Sequence, residues 1–219
     1  MAGSEGETVK TPKISETVVR RLPLYLRYLN ELNNRGVTTV SSQELGAKLD
    51  LNPAQIRKDL ACFGEFGKKG IGYDVKFLVG KIREILKLNR TIFVALVGAG
   101  NLGHALCNYN QYLQDNLKII AVFDNAPEKV GLRINNLQVQ PMGELVETIR
   151  RLGIRIGIIT VPASEAQSVA DHFVEAGVEA ILNFAPTIIR TPSHVRVHHA
   201  DFTMELQSLA YYLNQEGGS

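Results

Sequence analysis

The chain has 219 residues, 45% hydrophobic and 21% charged, with a mean hydropathy of −0.02, which excludes a disordered or collagen-like polymer and leaves one large or two small domains. Its net charge of +2 hides an asymmetry: residues 1–90 carry 16 Lys or Arg against 10 Asp or Glu, and the remainder 8 against 12. A basic module joined to an acidic one suits a phosphate-backbone partner for the first half, although a solvated lysine-rich helical face gives the same count.

Taken in chain order, Val18, Leu22, Tyr25, Leu26, Leu29 and Leu32 recur at helical spacing and predict an amphipathic helix in which Pro23 sits early or introduces a kink. Ser41 followed by Glu44 reads as a capping box that opens a short helix ending near Leu49. Asn52 and Pro53 then supply an N-cap and a first helical residue for a helix through Leu60. Two short helices around a tight turn make a helix-turn-helix, whose second helix is expected to present Gln55, Arg57 and Lys58 outward while Ile56 and Leu60 pack inward. The glycine-rich run 64–73 predicts a hairpin wing with Lys68 and Lys69 at its tip, able to enter a minor groove. A blunted edge hairpin is the alternative reading of those lysines. A helix over 74–88 carries the chain to Arg90, the expected domain boundary.

The second half alternates strands and helices. Apolar runs at 92–97, 117–123, 156–161 and 178–182 read as buried parallel strands, and helices are expected over 102–113, 143–152 and 164–176. The last helix, 202–213, stands apart, with Leu206, Leu209, Ala210 and Leu213 on one stripe and Tyr211 and Tyr212 beside it. His194, His198 and His199 alternate with valines, as on the exposed side of a short strand, and not as metal ligands. Cys62 and Cys107 have no CxxC spacing, so neither a disulfide framework nor a zinc site is expected. No apolar run is long enough to span a membrane and the polar start lacks a signal-peptide core, which predicts a cytoplasmic chain with no membrane partner.

The sharpest motif is Gly98, Ala99, Gly100, Asn101, Leu102 and Gly103, a GxGxxG directly after a strand and opening a helix. Such glycines allow the tight turn, the approach of a pyrophosphate and close helix packing, with the helix N-terminus facing the phosphates. Asp124 ends the next strand, where a carboxylate can accept from a ribose 2′-hydroxyl and repel a 2′-phosphate, so NAD+ and NADH are preferred to their phosphorylated forms. Glycines serving packing alone, or a site for coenzyme A, are the alternatives. A dehydrogenase would further need a general acid or base near the nicotinamide, and none is well placed, so the chain is not expected to be an enzyme. An NAD-dependent oxidoreductase with an accessory basic domain remains the contrasting possibility.

The whole chain resembles the Rex family of redox-sensing transcriptional repressors. The resemblance is carried by Arg21-Leu22-Pro23-Leu24-Tyr25, Ile56-Arg57-Lys58-Asp59-Leu60, the run 63–70, the glycine motif, Asn183-Phe184-Ala185-Pro186, and Asp201 with Glu205-Leu206-Gln207. Ala61-Cys62-Phe63 departs from the Ser-Tyr-Phe common in the family. The resemblance implies an α/β chain of three parts: a winged helix-turn-helix domain (1–90), a doubly wound parallel-sheet Rossmann domain (91–200), and a C-terminal helix (201–219) swapped across a homodimer. It implies a repressor that binds pseudo-palindromic operator DNA and is released by NADH, with NAD+ opposing release. It also implies DNA contacts from Phe66 beside the wing lysines and a redox-sensing link through Arg21, Tyr109 and Asp201. Phe202 and Tyr109 would lie at the cofactor, whose cleft Val161, Pro162, Ala163, Asn183, Phe184, Ala185 and Pro186 would line.

Overall fold

In the computed structural model, which describes residues 14–61, 67–68, 72–113 and 116–213, Ser15 caps the first helix, α1 (Glu16–Asn34), its hydroxyl accepting from the Val18 N–H. Pro23 lies inside α1, which runs on past it and buries all six residues of the predicted stripe. After β1 (Thr39–Val40), Ser41 and Glu44 close the capping box of α2 (Ser42–Leu49): each side chain meets the other's backbone N–H, at 3.1 and 2.7 Å. That contact holds the Glu44 carboxyl below the usual range. Asp50 ends α2 in the left-handed region, at φ +52°, and Asn52 Oδ1 then accepts from Ala54 N–H to start α3 (Pro53–Ala61). The wing strands are β2 (Gly67–Lys68) and β3 (Gly72–Asp74), and α4 (Val75–Ile85) follows, capped by Asp74. β3 lies between β1 and β2 in an antiparallel sheet. One apolar core, with Leu22, Leu26, Leu29, Ile56, Leu60, Leu78 and Ile82 almost wholly enclosed, joins α1, α3 and α4.

The chain divides after Asn89 into a second unit. Its elements are β4 (Ile92–Val97), α5 (Asn101–Tyr109), β5 (Leu117–Asp124), β6 (Arg133–Ile134), β7 (Leu137–Pro141), α6 (Leu145–Leu152), β8 (Ile156–Ile159), α7 (Ala163–Ala176), β9 (Ala180–Asn183), β10 (Arg196–His199) and α8 (Phe202–Leu213). The sheet order is β10-β9-β8-β4-β5-β7-β6, parallel except for the β6–β7 pair. The order in which strands are laid down therefore reverses between β4 and β8, the place where open α/β sheets bind ligands outside their strand ends.

Side chains alternate across β4, so Val94 and Leu96 pack with Cys107 of α5 while Ala95 and Val97 pack with Phe173 of α7. In β5 the alternation slips, because the partner of Val94 is Ile119 and that of Ala95 is Ala121. The Asn110 amide bonds both the N–H and the carbonyl of Ile119, each at 2.8 Å, and so acts as a neighbouring strand at the irregularity.

Three readings shift. The helix expected over 102–113 ends at Tyr109 and tightens into a 3-10 turn (Asn110–Tyr112). The β6–β7 hairpin was not expected; its turn places Asn135 at φ +53°, a conformation asparagine tolerates better than most residues. The histidine segment is a strand only from Arg196; His198 and His199 are both exposed, and His194 precedes it.

Candidate functional site

The glycine turn after β4 is built by contact. Gly98 has φ +106°, and a Cβ there would lie 2.6 Å from the Thr160 carbonyl oxygen; a Cβ on Gly103 would clash with the Gly98 carbonyl oxygen. Both positions exclude any larger residue. Around Gly100 there is open space for a Cβ, and α5 begins there with no side-chain cap on its first amides. A small residue with room beside it at a helix N-terminus fits a diphosphate. Thr160, just past the end of β8, pins the turn, its hydroxyl lying 3.0 and 2.8 Å from the Val97 and Gly98 carbonyl oxygens.

Asp124 is 4% exposed at the end of β5. Its Oδ2 accepts from the Ala99 N–H at 2.7 Å and from Lys129 Nζ at 3.1 Å, and its Oδ1 accepts from the Ala126 N–H at 2.9 Å. Burial alone would raise this carboxyl, but the amides of Ala126 and Ala99 and the Lys129 ammonium outweigh it and hold the group below its ordinary range. Asp124 thus braces the glycine turn and keeps room on Oδ1 for one further donor. Beside it lies a cleft of about 290 Å³ bounded by Gly98, Asp124 and Val161 and by Glu165, Ser168 and His172 of α7. Asn125 reaches across to Glu165 at 3.1 Å.

In the first unit a buried acid organises the helix-turn-helix. Asp59 of α3 has no solvent exposure and accepts from Arg21 Nε at 2.6 Å, Arg21 Nη2 at 2.8 Å, the Tyr25 hydroxyl at 2.6 Å and Gln55 Nε2 at 2.7 Å. Burial pushes the Asp59 carboxyl up, and the hydrogen bonds from Arg21, Tyr25 and Gln55 more than offset it, so its net shift is downward. The Tyr25 hydroxyl is raised, first by burial and then by its bond to Asp59. On the other side of α3, Arg57 Nη1 donates to Ser42 Oγ at 2.9 Å, fastening α3 to α2.

Comparison with known proteins bears on both units. Residues 13–61 match a family described as "Putative DNA-binding protein N-terminus", and residues 89–187 one described as "CoA binding domain". The Redox-sensing transcriptional repressor Rex of Brevibacillus brevis is 64% identical over 93% of this chain and 99% of its own, and that of Carboxydothermus hydrogenoformans is 46% identical over 93% and 98%. The chain belongs to the Rex family of redox-sensing transcriptional repressors. Among solved structures, the Rex-family repressor RSP in complex with β-NAD+ and operator DNA matches with a TM-score of 0.87 at 38% identity, covering 93% of this chain and 94% of that one. RSP in complex with β-NADH matches with a TM-score of 0.82 at 36% identity, over 93% and 95%. Rex members are repressors, so the oxidoreductase alternative falls.

Within the second unit, Gly98, Asp124 and Val161 line one cleft, whereas Ala99 to Gly103 are not among the residues that line it. Pro162 and Ala163 are exposed at the start of α7. Asn183 is fully buried: Oδ1 accepts from the Ala185 N–H, and Nδ2 lies within hydrogen-bond distance of the Ala185 and Thr187 carbonyls and, at 3.2 Å, of His199 Nδ1 in β10. It therefore shapes the Phe184–Pro186 turn. Tyr109 ends α5, about 12 Å along the helix from Asn101, and is 57% exposed. Phe202 is 74% exposed, and Asp201 Oδ1 accepts from the Thr203 and Met204 N–H groups at the start of α8. Among the DNA-facing candidates, Arg57 and Lys58 are exposed, Gln55 is half-buried with its amide nitrogen turned to Asp59, and Lys68 lies in β2. Phe66 and Lys69 lie outside the described residues, as does Cys62. Among the described residues there is no group of three or more potential metal ligands, and no helix long and apolar enough to cross a membrane.

The sequence reading missed Asp59, Thr160, Lys129 and the α7 wall of the cleft. Asp59 stands in a charged run, Arg57-Lys58-Asp59, that looks like a solvated helix face, and its partner Arg21 is 38 residues away.

Proposed function

We propose that this chain is a cytoplasmic redox-sensing repressor whose helix-turn-helix unit binds operator DNA and whose Rossmann unit takes NAD+ or NADH, NADH releasing the DNA. The observation that carries the reading is the open glycine turn at the α5 N-terminus with Asp124 beside it, in the same chain as a helix-turn-helix. RSP, a solved relative similar over nearly the whole chain, supports both binding roles. Bound cofactor would supply a nicotinamide that is cationic when oxidised and neutral when reduced.

The adenosine and pyrophosphate are common to both forms, so Gly98–Gly103 and Asp124 hold either form and cannot by themselves distinguish them. To shift the chain from 99% DNA-competent to 1%, NADH has to favour the released form about 10⁴-fold. For that discrimination we assign Phe202, Tyr109 and the loops 161–163 and 183–186 to the nicotinamide end, and Arg21, Tyr109 and Asp201 to the link that reports it. Gln55, Arg57, Lys58 and the wing lysines are the proposed DNA contacts.

A homodimer completes the reading. α8 buries none of its residues, and Met204, Leu206, Leu209, Tyr211 and Leu213 are all at least half exposed, an apolar surface suited to a second copy. Two-fold symmetry in turn suits a pseudo-palindromic operator.

The test is fluorescence anisotropy of the chain with a labelled pseudo-palindromic Rex-type operator at fixed salt, titrated with NADH and then NAD+. Release by NADH opposed by NAD+ is expected. An anisotropy that ignores NADH while NADH demonstrably binds would overturn the proposal. Because the second unit matches a family described as a CoA binding domain, coenzyme A is added as competitor; displacement of NADH by it would favour a coenzyme A regulator.

A further inference from the structure

The amide of Gln55 is oriented by chemistry and not only by packing. Its Nε2 lies 2.7 Å from Asp59 Oδ1, and an ionised carboxylate only accepts. Turning the amide over would set Gln55 Oε1 against Asp59 Oδ1, two acceptors in contact with no proton between them. The carboxylate cannot swing aside to relieve this, because Arg21 grips both its oxygens and the buried Tyr25 hydroxyl holds Oδ2. The acceptor Oε1 is therefore held on the side away from Asp59.

We propose that Asp59 is a positioning residue for operator specificity: by holding one hydrogen of the Gln55 amide nitrogen, it makes Gln55 present its oxygen to the DNA, so that a base offering an amine is favoured opposite it. This rests on the repressor reading above and takes α3, the second helix of the helix-turn-helix, as the one that enters the major groove. There, adenine N6 and cytosine N4 are the donors Oε1 can accept from, and the second Nε2 hydrogen can also reach adenine N7; guanine N7 and O6 and thymine O4 are acceptors that this hydrogen can meet but Oε1 repels, so those bases are disfavoured and not excluded. An unrestrained glutamine lacks this bias, since it can turn to donate to guanine or thymine.

The test measures binding of the full-length chain to a labelled pseudo-palindromic operator duplex and to every single-base-pair variant of one half-site. At one position, adenine or cytosine facing the protein should bind about tenfold more tightly than guanine or thymine. Gln55→Met, which removes one donor to Asp59 and keeps those of Arg21 and Tyr25, should level that position and keep the preferences elsewhere. Asp59→Asn can donate as well as accept, so it frees the amide to turn; guanine and thymine should then be tolerated at the same position, an outcome a merely structural role would not produce. If Asp59→Asn does not fold, as judged by circular dichroism, Gln55→Met alone decides. A Gln55-dependent position that prefers guanine or thymine, or no Gln55-dependent position at all, overturns the inference while the repressor reading stands. Failure of the wild-type chain to bind any operator duplex defeats both.

Discussion

Replacing Asp59 by alanine removes the acceptor of four hydrogen bonds at once, and its cost can be worked from the environments of the three donors. Tyr25 has no solvent exposure, so its hydroxyl would be left buried and unpaired, at about 1–3 kcal/mol. The Arg21 side chain is 21% exposed and can turn partly to water, which lowers its share below that of a wholly enclosed ion. Gln55 is half-buried and recovers water most easily. Breaking one side of a buried ion pair typically costs 3–5 kcal/mol, and the partial exposure of Arg21 places this case near 3 kcal/mol. Native-state hydrogen exchange read by mass spectrometry suits the measurement, because it follows α1 and α3 separately from the second unit. Protection of their amides should fall by about two decades, at 1.4 kcal/mol per decade. The pH dependence has a definite sign. The folded Asp59 carboxyl lies below its ordinary value, so its stabilisation is present above the unfolded carboxylate pKa, about 3.9, and is lost as pH falls through the lower folded value. Wild type and Asp59→Ala should differ in full near neutral pH and converge in acid. Arg20→Ala, which breaks an exposed pair with Glu16, is the control and should change nothing measurable. Less than a tenfold loss of protection in Asp59→Ala would refute the reasoning.

Other expectations follow from single residues. Asp124→Ala should weaken NADH binding at least tenfold, by losing both the ribose acceptor and the brace on Ala99, with operator affinity unchanged; fluorescence titration and anisotropy measure the two separately. Gly98→Ala should abolish NADH binding and lower the melting temperature, because its Cβ meets the Thr160 carbonyl oxygen at 2.6 Å in a left-handed backbone; a variant that binds normally would show the turn to be more pliant than its contacts imply. Burial pushes the Cys107 thiol up to about 11, so iodoacetamide at neutral pH should leave it unlabelled in the native chain and modify it once denatured, as peptide mapping would show independently of Cys62. Leu206→Glu with Leu209→Glu should shift the chain from dimer to monomer in sedimentation velocity, and an unchanged dimer would move the interface away from α8.

Local chemistry accounts for how much of the fold was readable. The Ser41–Glu44 capping box and the Asn52-Pro53 start act within four residues, and both stand in the structure as read. Runs such as Ile92–Val97 announce a parallel strand because both faces are covered and every position is apolar. The β6–β7 hairpin escaped for the opposite reason. Ile134 and Val139 are its buried residues, and the strands are short, so its alternation is too brief to separate from a loop. The end of α5 escaped because Asn110, which reads as an ordinary helical residue, is taken by the irregular backbone of β5.

The sites divide along the same line, and the division explains why one carboxylate was found and the other was not. Asp124 sits at a fixed interval after a glycine motif, so its place beside the cofactor cleft follows from the order of strands; its bracing of Ala99 does not, because that contact depends on how the turn folds back. Asp59 has no such frame. Its neighbours in sequence are Lys58 and Leu60, and nothing within one helical turn distinguishes it from a solvated acid except Gln55, four residues earlier. Only when α1 packs on α3 through Leu22, Leu26 and Ile56 does Arg21 arrive above it, and the apolar contacts that bury the carboxylate are the ones that deliver its counter-charge. A buried ion pair of this kind is weak evidence of net stability. Its value here lies in register: Arg21 and Gln55 meet on the same carboxylate, so a residue of α1 and a proposed DNA contact of α3 are held in one fixed relation by a buried group.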